Sequence, residues 1–281
     1  METSDDSSSS LEIENPTTTS LNENKESLDK SLRHLKKWVE ENKNLHIRNE
    51  DKYIVIFLRC CKYDLAKTKK KIEDFYRMKK TRHQLFTNRD PFSAEVQGLI
   101  KMGTFFVLKN PQGNCPVVII RPSIRDPSIY NMDQVLKSGS MVMDVLAMED
   151  ELAQLYGIIT VVDLTNTGLS NVTELSVSRL KDMVSVWQNY YCRPQKILFI
   201  NVPAYINVFL KMVKSFMTAK MRGRVEVNRG SDALTEVLDK KILPPEYGGE
   251  GETIEELSCY WANKLTSYFQ WFKEDEKFKA I

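Results

Sequence analysis

The chain has 281 residues, 42% of them hydrophobic, and a formal net charge of only +2. That is enough apolar material for one large domain, or for a small domain plus a larger one, and the charge balance gives no global attraction to nucleic acid. No apolar run approaches the roughly 20 uncharged residues of a membrane span; the longest candidate, 204–221, is interrupted by Lys211 and Lys214.

The first 26 residues are rich in Ser, Thr, Asn, Asp and Glu. They cannot bury enough surface to offset their ordering entropy, so a disordered tail is expected over 1–26. They also lack a charged-then-apolar leader, which predicts a cytoplasmic protein. The five cysteines, Cys60, Cys61, Cys115, Cys192 and Cys259, show no metal-binding or redox spacing and read as free thiols. Asn171-Val172-Thr173 matches a glycosylation acceptor, idle in such a compartment.

Leu28, Leu32, Leu35 and Trp38/Val39 recur at helical spacing. A short apolar run, 53–61, suits a helix buried between neighbours. Asp64 is a candidate N-cap for a third helix, in which Leu65, Thr68, Ile72 and Phe75/Tyr76 form a stripe opposite a lysine-rich face. This helical module ends near Asp90-Pro91. Short β-rich runs then alternate with helical stretches. The strands are expected at 104–108, 117–121, 157–164, 197–202 and 224–227, and the helices at 131–155, 172–190, 204–221 and 231–239. The continuous apolar runs 158–162 and 197–200 imply strands covered on both faces, hence a largely parallel sheet wrapped by helices. Residues 110–114, Asn-Pro-Gln-Gly-Asn, suit a hairpin turn between the first two strands. Thr253 and Glu256 form a capping-box pair that opens a last helix, about 254–278.

Little in the sequence promises catalysis. His34, His46 and His83 all fall in the N-terminal helical part, away from the strand ends where α/β folds place reactive groups. No glycine-rich phosphate loop follows the first strand. Asp163 ends a buried strand and reads as a structural acceptor for the turn that follows. Glu149, Asp150 and Glu151 read as solvated helix residues. No catalytic residue, metal ligand or cofactor is expected.

Segment 204–221 is unusual. Ile206, Phe209, Leu210, Val213 and Met217 share one face, and Tyr205, Val208, Met212 and Phe216 another. A surface helix needs only one apolar face. Two mean burial on both sides, or a lid with one face on an internal ligand and the other free to meet a membrane. Basic residues surround the segment.

Residues 28 to about 275 resemble the CRAL-TRIO (Sec14-like) family, closest to its tocopherol-transfer and retinaldehyde-binding branch and the insect relatives of that branch. The resemblance is carried by residues 51–64, by Val161-Val162-Asp163-Leu164 through Gly168, by 193–203, by 214–220 and by Leu243-Pro244-Pro245-Glu246-Tyr247-Gly248-Gly249. It implies an N-terminal helical domain over 27–91, an α/β lipid-binding domain over 92–250 with a mobile gate helix near 201–221, and a C-terminal helix within 251–281. The expected pocket wall is Leu136, Ser140, Met143, Ile158, Val162, Val186, Tyr190, Ile197, Phe199, Ile206, Phe209, Leu210 and Val213, with Ser140 and Tyr190 as possible hydrogen-bonding groups for the ligand. Arg193, Lys220 and Arg224 fall on positions that contact phosphoinositide head groups in that branch, with Lys196 and Arg222 beside them. Gln195 stands where a basic residue is usual, and Ser215 where proline is usual. The implied function is a non-enzymatic carrier of one hydrophobic lipid, such as a tocopherol, retinoid or carotenoid, exchanged at phosphoinositide-containing membranes. A phosphatidylinositol exchanger and an interaction module with a vestigial pocket are the alternatives.

Overall fold

The structure is a computed structural model and describes residues 25–168, 171, 174, 176–229 and 234–281. The expected disordered tail therefore lies outside the described residues up to Asn24, and Lys25 and Glu26 already belong to the first helix.

Helix α1 (Lys25–Glu41) buries Leu32, Leu35 and Val39, the stripe its spacing predicts. Helix α2 (Asp51–Cys60) is apolar nearly all round because it packs between neighbours, burying Tyr53, Ile54, Ile56, Phe57, Leu58 and Cys60. The Asp64 carboxylate accepts a hydrogen bond from the Lys67 backbone N–H at 3.0 Å, and so caps α3 (Leu65–Thr81). The short helices α4 (His83–Phe86) and α5 (Ala94–Lys101) lead into the sheet.

The main sheet has five strands: β2 (Phe105–Val107), β3 (Val117–Ile120), β4 (Ile158–Asp163), β5 (Pro194–Ile200) and β6 (Val225–Val227), side by side in that order. β2 and β3 form the expected antiparallel hairpin, and β3 through β6 run parallel. β5 starts three residues before the expected Ile197, because Pro194 already pairs with Ile158. A two-residue strand β1 (Leu45–His46) pairs with β7 (Lys279–Ala280), tying the C-terminus back to the helical module. No period-based reading could have found strands so short.

Around the sheet run α6 (Met132–Glu149), α7 (Glu151–Leu155), α8 (Val177–Asn189), a 3-10 turn over Ala204–Ile206, α9 (Asn207–Phe216) and α10 (Ala219–Arg222). The expected C-terminal helix opens on its capping box at Thr253 and is broken by a bend into α11 (Ile254–Thr266) and α12 (Phe269–Asp275). Among the described residues of the helix expected over 231–239, none is helical. Residues 230–233 lie outside the described residues, and 234–238 form turns. Their apolar residues Leu234 and Leu238 are buried from those turns, so apolar spacing alone misled. Val172 and Thr173 of the glycosylation-like triplet also lie outside the described residues.

A buried ion cluster joins the layers. Arg89 pairs with Asp144 of α6 at 2.5 Å and with Asp275 of α12 at 2.6 Å. Lys79 of α3 pairs with Asp275 at 2.5 Å and Arg48 pairs with it at 3.1 Å. Buried charges are tolerable only when paired in this way.

Candidate functional site

The site follows from strand alternation. Successive side chains of a strand point to opposite faces. In β4 and the turn after it, Ile158, Thr160, Val162 and Leu164 face one side, and Val118 and Ile120 of β3 join them. These residues floor a partly enclosed cavity of about 140 Å³. Helix α6 contributes Leu136, Gly139, Ser140 and Met143 to its wall. Helix α8 contributes Leu180, Met183, Val184 and Trp187, and segment 206–213 forms the roof with Ile206, Phe209 and Val213. Gly139 is required here: a methyl group on it would stand 2.7 Å from the Phe105 ring, which also lines the cavity.

Eleven of the thirteen expected wall residues line this space: Leu136, Ser140, Met143, Ile158, Val162, Val186, Tyr190, Phe199, Ile206, Phe209 and Val213. Ile197 and Leu210 do not. Both are buried in the apolar layer that includes Met217, Met221 and Val225, so they seal the gate against the sheet beside the cavity. The sequence reading missed Phe105, Val118, Ile120 and the α8 stripe of Leu180, Met183, Val184 and Trp187. The i, i+3, i+4, i+7 spacing of that stripe was available as a signal.

Among the described residues the lining contains no Asp, Glu, Lys, Arg or His. Its polar groups are largely engaged. The Ser140 hydroxyl donates to the carbonyls of Lys137 at 2.7 Å and Leu85 at 3.3 Å. Tyr190 donates to the Ser140 carbonyl at 3.0 Å and to Asp144. Both hydroxyls, expected as hydrogen-bonding groups for a ligand, thus donate within the protein, where they help hold α6 in place. Ser123 and Thr167 bond each other at 2.8 Å. Burial pushes the Cys192 thiol up to about 12, so it stays protonated and behaves as an apolar group.

The roof keeps its second apolar face outward. Tyr205 is 50% and Val208 72% exposed. Lys211 is exposed on the same helix, and the Lys181 ammonium lies 5.3 Å from the centre of the Phe216 ring. Of the five basic positions singled out, three are held by the fold. Arg193 donates to the carbonyls of Arg59 (3.1 Å), Cys60 (2.9 Å) and Leu155, fastening α2 to the start of β5. Lys196 pairs with Glu226 at 2.9 Å. Arg224 donates to the Pro194 carbonyl, and burial with Arg193 nearby lowers its pKa. Lys220 and Arg222 are exposed, and Arg222 also donates to the Met217 carbonyl at 3.2 Å.

Asp163 has the structural role its position suggested. One oxygen accepts from the Thr165 backbone N–H (2.9 Å), the Thr165 hydroxyl (2.6 Å) and the Asn201 amide (2.9 Å). The other accepts from Tyr247 at 2.7 Å, anchoring the Pro244–Gly249 turn to the strand end.

A mostly parallel sheet, a roofed apolar cavity on one face and a helical module ahead of them define an α/β binding domain of the Sec14-like fold. The chain belongs to the CRAL/TRIO family: the family's domain matches residues 100–249, and a Pinta-like UBA domain matches residues 24–96. The chain is 26% identical over 217 residues to a human protein named alpha-tocopherol transfer protein-like, covering 75% of this chain and 62% of that one. It thus spans less than two thirds of that relative's length. It is 24% identical over 236 residues to rat clavesin-1, covering 82% and 66% of the two chains. The crystal structure of Sfh5 superposes with a TM-score of 0.56 at 14% identity, over 85% of this chain and 96% of that one, a likeness of fold. No described helix is long and apolar enough to cross a membrane.

Proposed function

We propose that the protein is a non-enzymatic carrier that holds one neutral, hydrophobic lipid beneath the 206–213 roof and exchanges it at membranes. The observation that carries this reading is the lining: a partly enclosed space on the sheet face, walled mainly by aliphatic, aromatic and methionine side chains and without a charged group among the described residues. Burying about 400 Å² of apolar ligand there at roughly 25 cal/mol per Å² gives about 10 kcal/mol before association and ordering costs. The same lining argues against a phosphatidylinositol head group inside the cavity, since its charge would find no cationic partner.

Tight retention requires a release step. The outward face of the roof, with Tyr205, Val208 and Lys211, is suited to enter an interface while Lys220 and Arg222 meet anionic head groups. That contact would favour the open state by differential binding. The relatives named for tocopherol transfer support the carrier reading without fixing the cargo.

The test is native mass spectrometry of protein purified from its own source. One stoichiometric neutral lipid is the expected result. A protein that is empty and takes up nothing from a lipid mixture would refute the carrier.

A further inference from the structure

The alternation that builds the cavity places a different chemistry on the other face of the same strands. Ile120 and Pro122 line the cavity, and Arg121 between them does not. Val162 and Leu164 line it, and Asp163 and Thr165 do not. Arg121, Asp163, Thr165 and Asn201 instead meet at the carboxyl ends of β3, β4 and β5, where Lys240, Glu246 and Tyr247 complete an open polar pocket of about 690 Å³.

The acceptors of this pocket are hydrogen-bonded, whereas the side chains of its cations make no hydrogen bond to a described residue, Arg121 having only a long ion-pair contact to Asp163. Asp163 takes four hydrogen bonds on its two oxygens. Glu246 accepts from the Ile254 backbone N–H at 3.0 Å. Asn201 donates to Asp163 and to the Thr165 hydroxyl, both at 2.9 Å. The Arg121 backbone N–H donates to the Thr104 carbonyl at 2.8 Å, but its side chain makes no hydrogen bond to a described residue. Its Nε is buried without a partner and stays 4.0 Å from Asp163, beyond hydrogen-bonding range. The guanidinium rests over Gly103, whose φ of +73° only glycine adopts freely and where a methyl group would stand 3.1 Å from Nη1. The Lys240 side chain is exposed at the same pocket.

We propose that this pocket binds a phosphate group, with the Arg121 guanidinium as a planar fork and the Lys240 ammonium as a point charge. A guanidinium matches two oxygens of one phosphate, and a second cation suits its dianionic form. The inference does not depend on the lipid cavity, which lies on the opposite face of the sheet. The phosphate could belong to a soluble molecule or to a lipid head group, and the two arms of the test separate these sources.

The full chain is titrated calorimetrically with inorganic phosphate and, separately, pelleted with phosphatidylcholine vesicles with and without phosphatidic acid. Saturable phosphate binding, weakened at least tenfold by Lys240→Gln, is expected. Lys240 is exposed, so that variant keeps the fold, and circular dichroism checks it. Arg121→Gln should weaken binding at least as much. Pelleting that Lys240→Gln leaves unchanged assigns a soluble ligand, and pelleting with phosphatidic acid that it reduces assigns a head group. Neither saturable phosphate binding nor Lys240-dependent pelleting, or phosphate binding that Lys240→Gln does not alter, would overturn the proposal.

Discussion

Phe209→Asp separates lipid retention from folding. Phe209 is half-buried, with its ring on the cavity, in a helix that Ile206, Leu210, Val213 and Met217 hold to the sheet. A phenylalanine side chain offers about 150–250 Å². If a lipid covers about 80 Å² of it, truncation to alanine forfeits about 2 kcal/mol at 25 cal/mol per Å², or roughly 30-fold in affinity. Aspartate adds the cost of holding a carboxylate against hydrocarbon, at least about 2 kcal/mol more, so retention should fall by about three orders of magnitude. The four other anchors remain, so the thermal midpoint should move by only a few degrees. The assay is co-elution of a fluorescent lipid with the protein through gel filtration, beside a melting curve. If Phe209→Asp retains lipid at the native stoichiometry with an unaltered melt, the ligand does not lie beneath this roof.

Lys211→Glu with Lys220→Glu should slow lipid transfer to anionic vesicles severalfold while leaving retention and transfer to neutral vesicles unchanged, read by fluorescence dequenching; each cation is worth up to about 1 kcal/mol near such a surface. Arg89→Met removes one cationic partner from each of the buried carboxylates Asp144 and Asp275, and should cost about 3–5 kcal/mol in urea unfolding. For Asp163, burial acts to raise the pKa, but hydrogen bonds from Thr165, Asn201 and Tyr247 outweigh it and hold the carboxyl below its ordinary value. A depressed folded pKa contributes stability that is present above the unfolded value near 3.9 and is lost as pH falls through the folded one. Asp163→Asn should therefore destabilise the protein by about 1–3 kcal/mol at pH 7, and less at pH 3, in urea midpoints taken across that range.

Much of this molecule was legible in its sequence because the relevant signals are local. Helical spacing marked α1, the Asp64 and Thr253 caps fixed two helix starts, and the continuous apolar runs of β4 and β5 required a sheet covered on both faces. The two-faced pattern of 204–221 singled out the segment that forms the roof, and the family resemblance brought Ile158, Val162 and Phe199 into the expected pocket wall. The tertiary structure decided which members of those stripes meet the cavity and which side chains remain free. Ile197 and Leu210 have the right period but sit where helix and sheet close on each other. Ser140, Tyr190, Arg193 and Arg224 have the right chemistry, yet carbonyls contributed from elsewhere in the fold occupy them. Hydrogen bonds between residues far apart in the chain leave no periodic trace, so neither the engaged guanidinium of Arg193 nor the Arg121 side chain without a hydrogen bond could be read before the chain was folded.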